Sequence, residues 1–177
     1  SWDEDSVTMS VEAARRLLGP EDDRSHVDNV FLASTTMPFA DRLNSGIVRA
    51  ALTLEESTQC TDISSTLKCG TTALINGISS VQSGKSDYSL VLSSDKRKSR
   101  VGSAQELDFG DASAAIGINN KDIIAKVLAT SSVSVDFVDH FRAPNEEFDY
   151  NWEERWIRDE GYLKIIPKLI NNLLKEN

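Results

Sequence analysis

The sequence has 177 residues, with 19 lysines and arginines against 28 aspartates and glutamates, which gives a formal net charge of −9. Hydrophobic residues make up 40% of the chain and charged residues 27%, proportions that suit one folded domain and exclude a disordered tail. An acidic chain repels phosphate backbones and anionic lipid, so nucleic acid and membrane surfaces are poor candidates as partners.

Targeting and redox features point to the cytoplasm. No apolar run approaches the roughly 20 residues of a membrane helix, and the segment from Ser1 has neither a basic stretch nor an apolar signal core. The cysteines, Cys60 and Cys69, form no Cys-x-x-Cys pair, so we expect neither a disulfide framework nor a metal site. Because the chain begins without methionine, we treat it as a possible fragment.

Helices and short apolar strands alternate along the first two thirds of the chain. Helical spacing of apolar residues predicts helices over 7–18, capped by Asp5 or Ser6, and over 41–54. A third helix is predicted over 68–81, where Gly77 marks close packing. The predicted strands are 27–34, 61–65, 88–93, 112–118 and 123–135. This order predicts an α/β fold with a mostly parallel mixed sheet and helices on both faces.

The last forty residues differ in character. Residues 136–160 mix aromatic side chains with many carboxylates, and we expect an irregular segment followed by a helix around 151–158. A final amphipathic helix starts at Tyr162 and contains Pro167, which a helix tolerates only near its start or at a kink.

Few side chains offer chemistry by local pattern alone. The sequence has no glycine loop for phosphates and no Gly-x-Ser-x-Gly elbow. Cys69 is predicted in the first turn of a helix, where amides and dipole would lower its pKa. One basic cluster follows a predicted strand and is either a solvated loop or a site for an anionic group such as a phosphate. Its members are Lys96, Arg97, Lys98 and Arg100.

Residues 62–74, Asp-Ile-Ser-Ser-Thr-Leu-Lys-Cys-Gly-Thr-Thr-Ala-Leu, resemble the nucleophile segment of the thiolase superfamily. The likeness is greatest to hydroxymethylglutaryl-CoA synthase and the initiating ketoacyl carrier-protein synthases, where an Asp-led strand precedes a cysteine that opens a buried helix. Other segments match in order: the helix of 3–18, the strand, Ser-x-x-x-Pro turn and helix of 30–48, the strand 89–95 and the Gly-Asp-x-Ala-Ala hairpin of 106–115.

The resemblance implies an organisation and partners. Residues 1–135 would form a thiolase-like N-terminal half whose first strand precedes Ser1, and 136–177 would cross into the C-terminal half and form its first helix. A CoA thioester is the implied substrate, with no tightly bound cofactor, in a cytoplasmic acyltransferase or synthase of lipid metabolism. A homodimer through Cys60–Ser65 is also implied. Residues 136–167 resemble bacterial proteins joined to an OB-fold domain with a zinc ribbon, which implies such a partner or fused domain.

The chain departs from the family at both catalytic positions that it covers. The nucleophilic cysteine falls on Leu67 and the acid–base glutamate on Thr35, which cannot titrate near neutral pH. An acyl-cysteine is therefore not expected, and no catalytic residue is assigned; a register shifted by two, with Cys69 as nucleophile, is the alternative. The residues expected to line the substrate site are Thr35, Thr66, Leu67, Lys68 and Gly70. Those expected to meet CoA phosphates are Lys96, Arg97, Lys98 and Arg100.

Two functions from different classes fit these departures. The first is carbon–carbon bond formation or cleavage on a CoA thioester without an acyl-enzyme, assisted by the backbone donors at the start of helix 68–81. The second is a non-catalytic scaffold subunit that dimerises and holds the OB-fold partner.

Overall fold

A computed structural model describes residues 3–19 and 24–175, and the chain divides into two compact units. The first unit comprises Ser1–Arg97 and Phe109–Ile123, and the second comprises Lys98–Asp108 and Ile124–Asn177. Within the described ranges, no helix is long and apolar enough to cross a membrane.

The first unit is built on a mixed sheet. Its strands among the described residues are β1 (Asn29–Ala33), β2 (Gln59–Ile63), β3 (Tyr88–Asp95) and β4 (Ala112–Asn119), in the order β2-β1-β3-β4. β1 is parallel to both β2 and β3, and β4 is antiparallel to β3. The predicted fold class, a mostly parallel mixed sheet, is confirmed.

Helices cover both faces of this sheet. They are α1 (Ser6–Leu18), α2 (Asn44–Ala51) and α3 (Cys69–Gln82). All of β1 is buried, and its side chains alternate between two cores because successive residues of a strand point to opposite faces. Val30 and Leu32 join the core formed with α1 and α2, whereas Phe31 and Ala33 join the core formed with α3.

Local sequence sets the ends of α1. The Asp5 carboxylate accepts hydrogen bonds from the amides of Val7 and Thr8 at 2.9 and 2.8 Å, and the Thr8 hydroxyl accepts from the Asp5 amide, which completes a capping box. Gly19 ends the helix with φ 78°, a left-handed conformation that favours glycine. Pro20, which follows it in the sequence, lies outside the described residues.

Tertiary contacts shift other boundaries. α2 begins at Asn44 and not at Asp41, because its first amides are held by the carboxylate of Asp62 on β2. The prediction of a strand over 123–135 is wrong: these residues, all of them described, contain no strand. Ile124 and Leu128 are fully or largely exposed, and among the described strands β4 pairs with β3 alone. Without a neighbouring strand to bond, an apolar run of strand-like composition forms no ladder.

The second unit consists of short elements followed by one long helix. A hairpin of β5 (His140–Phe141) and β6 (Tyr150–Asn151), which the sequence did not predict, lies within the expected irregular segment. The other elements are α4 (Gln105–Asp108), α5 (Glu154–Trp156), a π-helix over Ile157–Tyr162 and α6 (Leu163–Lys175). Pro167 lies inside α6, close to the π-helical turn, where regular helical bonding is already interrupted.

Candidate functional site

The candidate site lies where the three parallel strands end. Ala33 is level with Ile63 of β2 and with Ser93 of β3, and the Ser34 amide donates to the Ile63 carbonyl at 3.1 Å. Because parallel strands end at the same edge, the segments that follow them meet there. The structure thus brings Thr35 and the start of α3 to one edge of the sheet.

Asp95, the last residue of β3, organises the turn after β1. Its Oδ1 atom accepts from the Thr35 amide at 2.7 Å and from the hydroxyls of Thr35 and Thr36 at 3.0 Å. The Ser34 hydroxyl adds a fourth bond at 3.1 Å. Hydrogen bonds to a charged acceptor are stronger than neutral ones, so one carboxylate fixes the whole turn. Thr35 is half-buried and held in place at the position where the resemblance puts a glutamate.

Lys96 is drawn into the same network. Its amide donates to the Thr36 hydroxyl at 2.9 Å, and its ammonium Nζ donates to the Glu4 carbonyl at 2.7 Å. The Ser6 hydroxyl donates to the Thr36 carbonyl at 3.0 Å, which joins the start of α1 to the turn. The Lys96 side chain therefore makes a structural contact, with the backbone at Glu4, in this conformation.

A second carboxylate, Asp62 near the end of β2, holds the start of α2. It accepts from the amides of Asn44 and Ser45, both at 2.7 Å, and from the Asn44 side chain at 2.9 Å. Burial raises the pKa of the Asp62 carboxyl, but the hydrogen bonds from Ser45 and Asn44 together outweigh it and hold the pKa below its usual range. The charged form of Asp62 is thus part of the fold.

An exposed apolar side chain, that of Leu67, lies just before the start of α3. Thr66, Leu67 and Lys68 are all exposed, Leu67 to 49%, and the Lys68 amide donates to the Thr66 hydroxyl at 3.3 Å. Gly70 lies against β3, and a Cβ atom there would stand 3.0 Å from the Ser93 hydroxyl. A side chain at position 70 would require either the Ser93 hydroxyl or the start of the helix to shift.

Cys69 is buried in the core between α3 and the sheet and is only 3% exposed. Burial and the negative charge of Asp95 raise the pKa of its thiol, against smaller contributions from backbone hydrogen bonds. The prediction that the helix start would lower the Cys69 pKa is therefore wrong: the helix does begin there, but the side chain points into the core. Cys69 lacks the exposed, acidic thiol of a reactive cysteine.

The basic cluster is divided between the two units, and each of its members makes internal contacts. Arg97, in the first unit, lies over the ring of Phe109 at 4.4 Å. In the second unit, Lys98 pairs with Glu147 at 2.7 Å and Arg100 lies 5.5 Å from the centre of the Phe148 ring. These contacts are compatible with both interpretations of the basic cluster, a solvated loop and a site for an anionic group. In the second case, the cations of the site already have partners within the protein.

The organising carboxylates were not among the predicted site residues. Both lie in segments that match the family, Asp62 at the start of 62–74 and Asp95 at the end of 89–95, but neither was assigned a role. Their hydrogen-bond partners lie 17 to 61 positions away in the sequence, so the contacts themselves have no local signal. Within the described residues, no group of three or more His, Cys, Asp or Glu side chains is arranged to hold a metal ion.

Comparison with curated proteins gives the family context. The chain is 29% identical to the hydroxymethylglutaryl-CoA synthase of Picrophilus torridus over 175 residues, which is 98% of this chain and 50% of that protein. It is 31% identical to the corresponding synthase of Methanococcus vannielii over 149 residues, 82% of this chain and 43% of that protein. The chain spans about half the length of the curated relatives it matches. No family model matches it.

Solved structures share the fold. A hydroxymethylglutaryl-CoA synthase complexed with CoA superposes with TM-score 0.84 at 20% identity, covering 97% of this chain and 44% of that one. An MvaS protein in complex with 3-hydroxy-3-methylglutaryl coenzyme A gives 0.80 at 21%, covering 88% and 38%. A 3-oxoacyl-(acyl-carrier-protein) synthase III gives 0.74 at 16%, covering 98% and 60%.

The strand order, the two helical layers and these superpositions define a thiolase-like fold. The chain resembles roughly the first half of a hydroxymethylglutaryl-CoA synthase, as its motifs predicted.

Proposed function

We propose that this chain is the N-terminal half of a thiolase-fold protein that acts on CoA thioesters, forming or cleaving a carbon–carbon bond without an acyl-cysteine. The observation that carries the proposal is the similarity to hydroxymethylglutaryl-CoA synthases across 98% of the chain, with leucine at position 67. In this organisation, 1–135 is the N-terminal half and 136–177 leads into the C-terminal half.

The substrate site would use binding and polarisation in place of covalent chemistry. Thr35 is held by Asp95, and the first amides of α3 carry the positive end of the helix dipole. The Thr35 amide and hydroxyl already donate to Asp95, so the α3 amides are the donors that would stabilise the oxyanion of a thioester enolate, a contribution worth about 3 kcal/mol. Leu67 would provide an apolar contact to the acyl group. Since neither Thr35 nor Leu67 titrates near neutral pH, a base from another part of the protein is required. The residues assigned to the site are Thr35, Thr66, Leu67, Lys68 and Gly70.

The basic residues of 96–100 are assigned to the phosphates of CoA, because a cationic loop after a strand end suits a polyanionic ligand. CoA would be a substrate component and not a resident cofactor. The neighbouring solved structures that contain CoA or 3-hydroxy-3-methylglutaryl coenzyme A support this ligand class.

Calorimetric titration of the full-length protein with acetyl-CoA, acetoacetyl-CoA and free CoA tests the proposal. We expect both thioesters to bind more tightly than free CoA, because only they present a thioester carbonyl to the start of α3. Equal affinity for all three ligands would contradict a site that recognises the acyl group. The absence of binding to any of them would favour the second function, described below.

The second candidate is a non-catalytic subunit that dimerises and holds an OB-fold and zinc-ribbon partner or domain. It is favoured by the loss of ionisable side chains at Thr35 and Leu67, and by the position of β2 at the edge of its sheet. An edge strand such as the one at Cys60–Ser65 can pair with its counterpart in a second copy. Light scattering of the full-length protein distinguishes the outcomes: we expect a dimer at micromolar concentration, and a monomer would contradict pairing through β2.

A further inference from the structure

Two cations of the basic cluster are partnered by adjacent residues of one loop in the second unit. The Lys98 Nζ atom lies 2.7 Å from Glu147 Oε1, and the Arg100 guanidinium lies 5.5 Å from the centre of the Phe148 ring. Glu147 and Phe148 are consecutive residues between β5 and β6. An acidic side chain thus contacts Lys98 and an aromatic side chain contacts Arg100. These are two of the cations that the proposed function assigns to the CoA phosphates.

The ion pair is of a kind that exchanges readily. The side chains of Lys98 and Glu147 are 67% and 57% exposed, and exposed pairs contribute little to stability because water screens them. A phosphate monoester carries more negative charge than a carboxylate and therefore attracts the same ammonium more strongly. While the Glu147 carboxylate stays beside Lys98, however, it repels an incoming phosphate.

We propose that Glu147 and Phe148 are an internal competitor for the CoA phosphates at Lys98 and Arg100, so that the ligand must displace these side chains to bind. This inference rests on the proposed function, because it takes CoA as the ligand. It makes Glu147 a residue that lowers affinity for phosphate-bearing ligands and leaves phosphate-free ones unaffected.

The test compares CoA with pantetheine, which lacks the phosphates, by calorimetry on the full-length protein. We expect Glu147→Gln to bind CoA about two- to fivefold more tightly than the wild type, the range that corresponds to one exposed ion pair. Pantetheine affinity should not change. Glu146→Gln is the matched control, since Glu146 is the exposed neighbour and makes no ion pair within the described residues; its CoA affinity should equal that of the wild type.

A second pair of variants separates this inference from the proposed function. Lys98→Gln should weaken CoA binding, and in that background Glu147→Gln should no longer raise it. Suppose that Lys98→Gln weakens CoA binding but the CoA affinity of Glu147→Gln equals that of the wild type or is lower. The inference that Glu147 competes with CoA is then wrong, while the proposed CoA site stands. If the wild type and Glu147→Gln both fail to bind CoA, the proposed function and the inference fall together. Phe148→Leu, which removes the ring from Arg100, should give a smaller gain in the same direction as Glu147→Gln.

Discussion

The Asp95 carboxylate accepts a hydrogen bond from the Thr35 amide at 2.7 Å, which ties the end of β3 to the turn after β1. The Thr35 hydroxyl bonds to the same oxygen at 3.0 Å. Thr35 occupies the position where the resemblance puts a catalytic glutamate. Its side chain has no acid–base chemistry near neutral pH, yet β3 holds it in place through Asp95. The turn keeps a defined geometry although the titrating group is absent from position 35.

Removing the Asp95 carboxylate should destabilise the turn. Asp95→Ala leaves four donors from residues 34–36 without their acceptor, and we expect a loss of about 3 kcal/mol in the free energy of unfolding. Urea denaturation measures it. Asp87→Ala, at an exposed aspartate just before the same strand, is the control and should change stability by less than about 0.5 kcal/mol. Equal effects of the two substitutions would contradict the role of Asp95.

Asp62 should make stability depend on pH in the acid range. Its folded pKa lies below the ordinary 3.8, so the native state binds fewer protons than the unfolded state as pH falls. The stabilisation is present above pH 3.8 and is lost as pH falls through the folded pKa. We expect the free energy of unfolding of Asp62→Asn to fall less steeply below pH 4 than that of the wild type, in urea titrations from pH 6 to 3. Asp41→Asn, an exposed loop aspartate, should follow the wild-type curve.

Sequence patterns predicted the elements of the first unit because each has a local signal. The apolar run around Val30 to Leu32 and the helical spacing from Val7 to Leu18 depend only on neighbours along the chain. The start of α2 depends on Asp62, and the fate of 123–135 depends on whether a partner strand exists. Such non-local conditions are not encoded in a single window of sequence.

In the candidate site, too, some features follow from local sequence and others depend on tertiary packing. Family motifs predicted Thr35, Leu67 and the start of α3 as site positions, since a motif match depends only on sequence order. The local pattern predicted a reactive thiol at Cys69, because position in a helix does not indicate which way the side chain points. Only the packing of Cys69 against the sheet shows that burial outweighs the helix dipole.

Gly77 should not accept even a methyl group. A Cβ atom there would stand 2.7 Å from Ile118 Cδ1 and 2.9 Å from Val91 Cγ2, which confirms the predicted close packing. We expect Gly77→Ala to destabilise the protein by about 1–3 kcal/mol through overpacking, despite the higher helix propensity of alanine. Thermal unfolding measures it. Ser79→Ala, on the exposed side of the same helix, should be neutral or slightly stabilising; a stabilising Gly77→Ala would show that α3 can move off the sheet.

Cys69 should react slowly in the folded protein. Burial and the charge of Asp95 both keep its thiol protonated, so iodoacetamide at pH 8 should modify the half-buried Cys60 first, as followed by peptide mass spectrometry. In urea the two cysteines should react at similar rates. Incubation with acetyl-CoA should leave Cys69 unmodified, and a stable acetyl adduct there would support the register shifted by two.

A cysteine at position 67 should be far more reactive than the native thiols. Leu67 is 49% exposed and directly precedes the first turn of α3, where the helix dipole favours a thiolate. We expect Leu67→Cys to be alkylated by iodoacetamide at pH 7 faster than Cys60, with little change in thermal stability. Ser83→Cys is the matched control, because Ser83 is exposed at the opposite end of the same helix, where the dipole disfavours the thiolate. Equal rates at the two introduced cysteines would show that the start of α3 does not stabilise negative charge, and would remove the physical basis for oxyanion binding at this edge of the sheet.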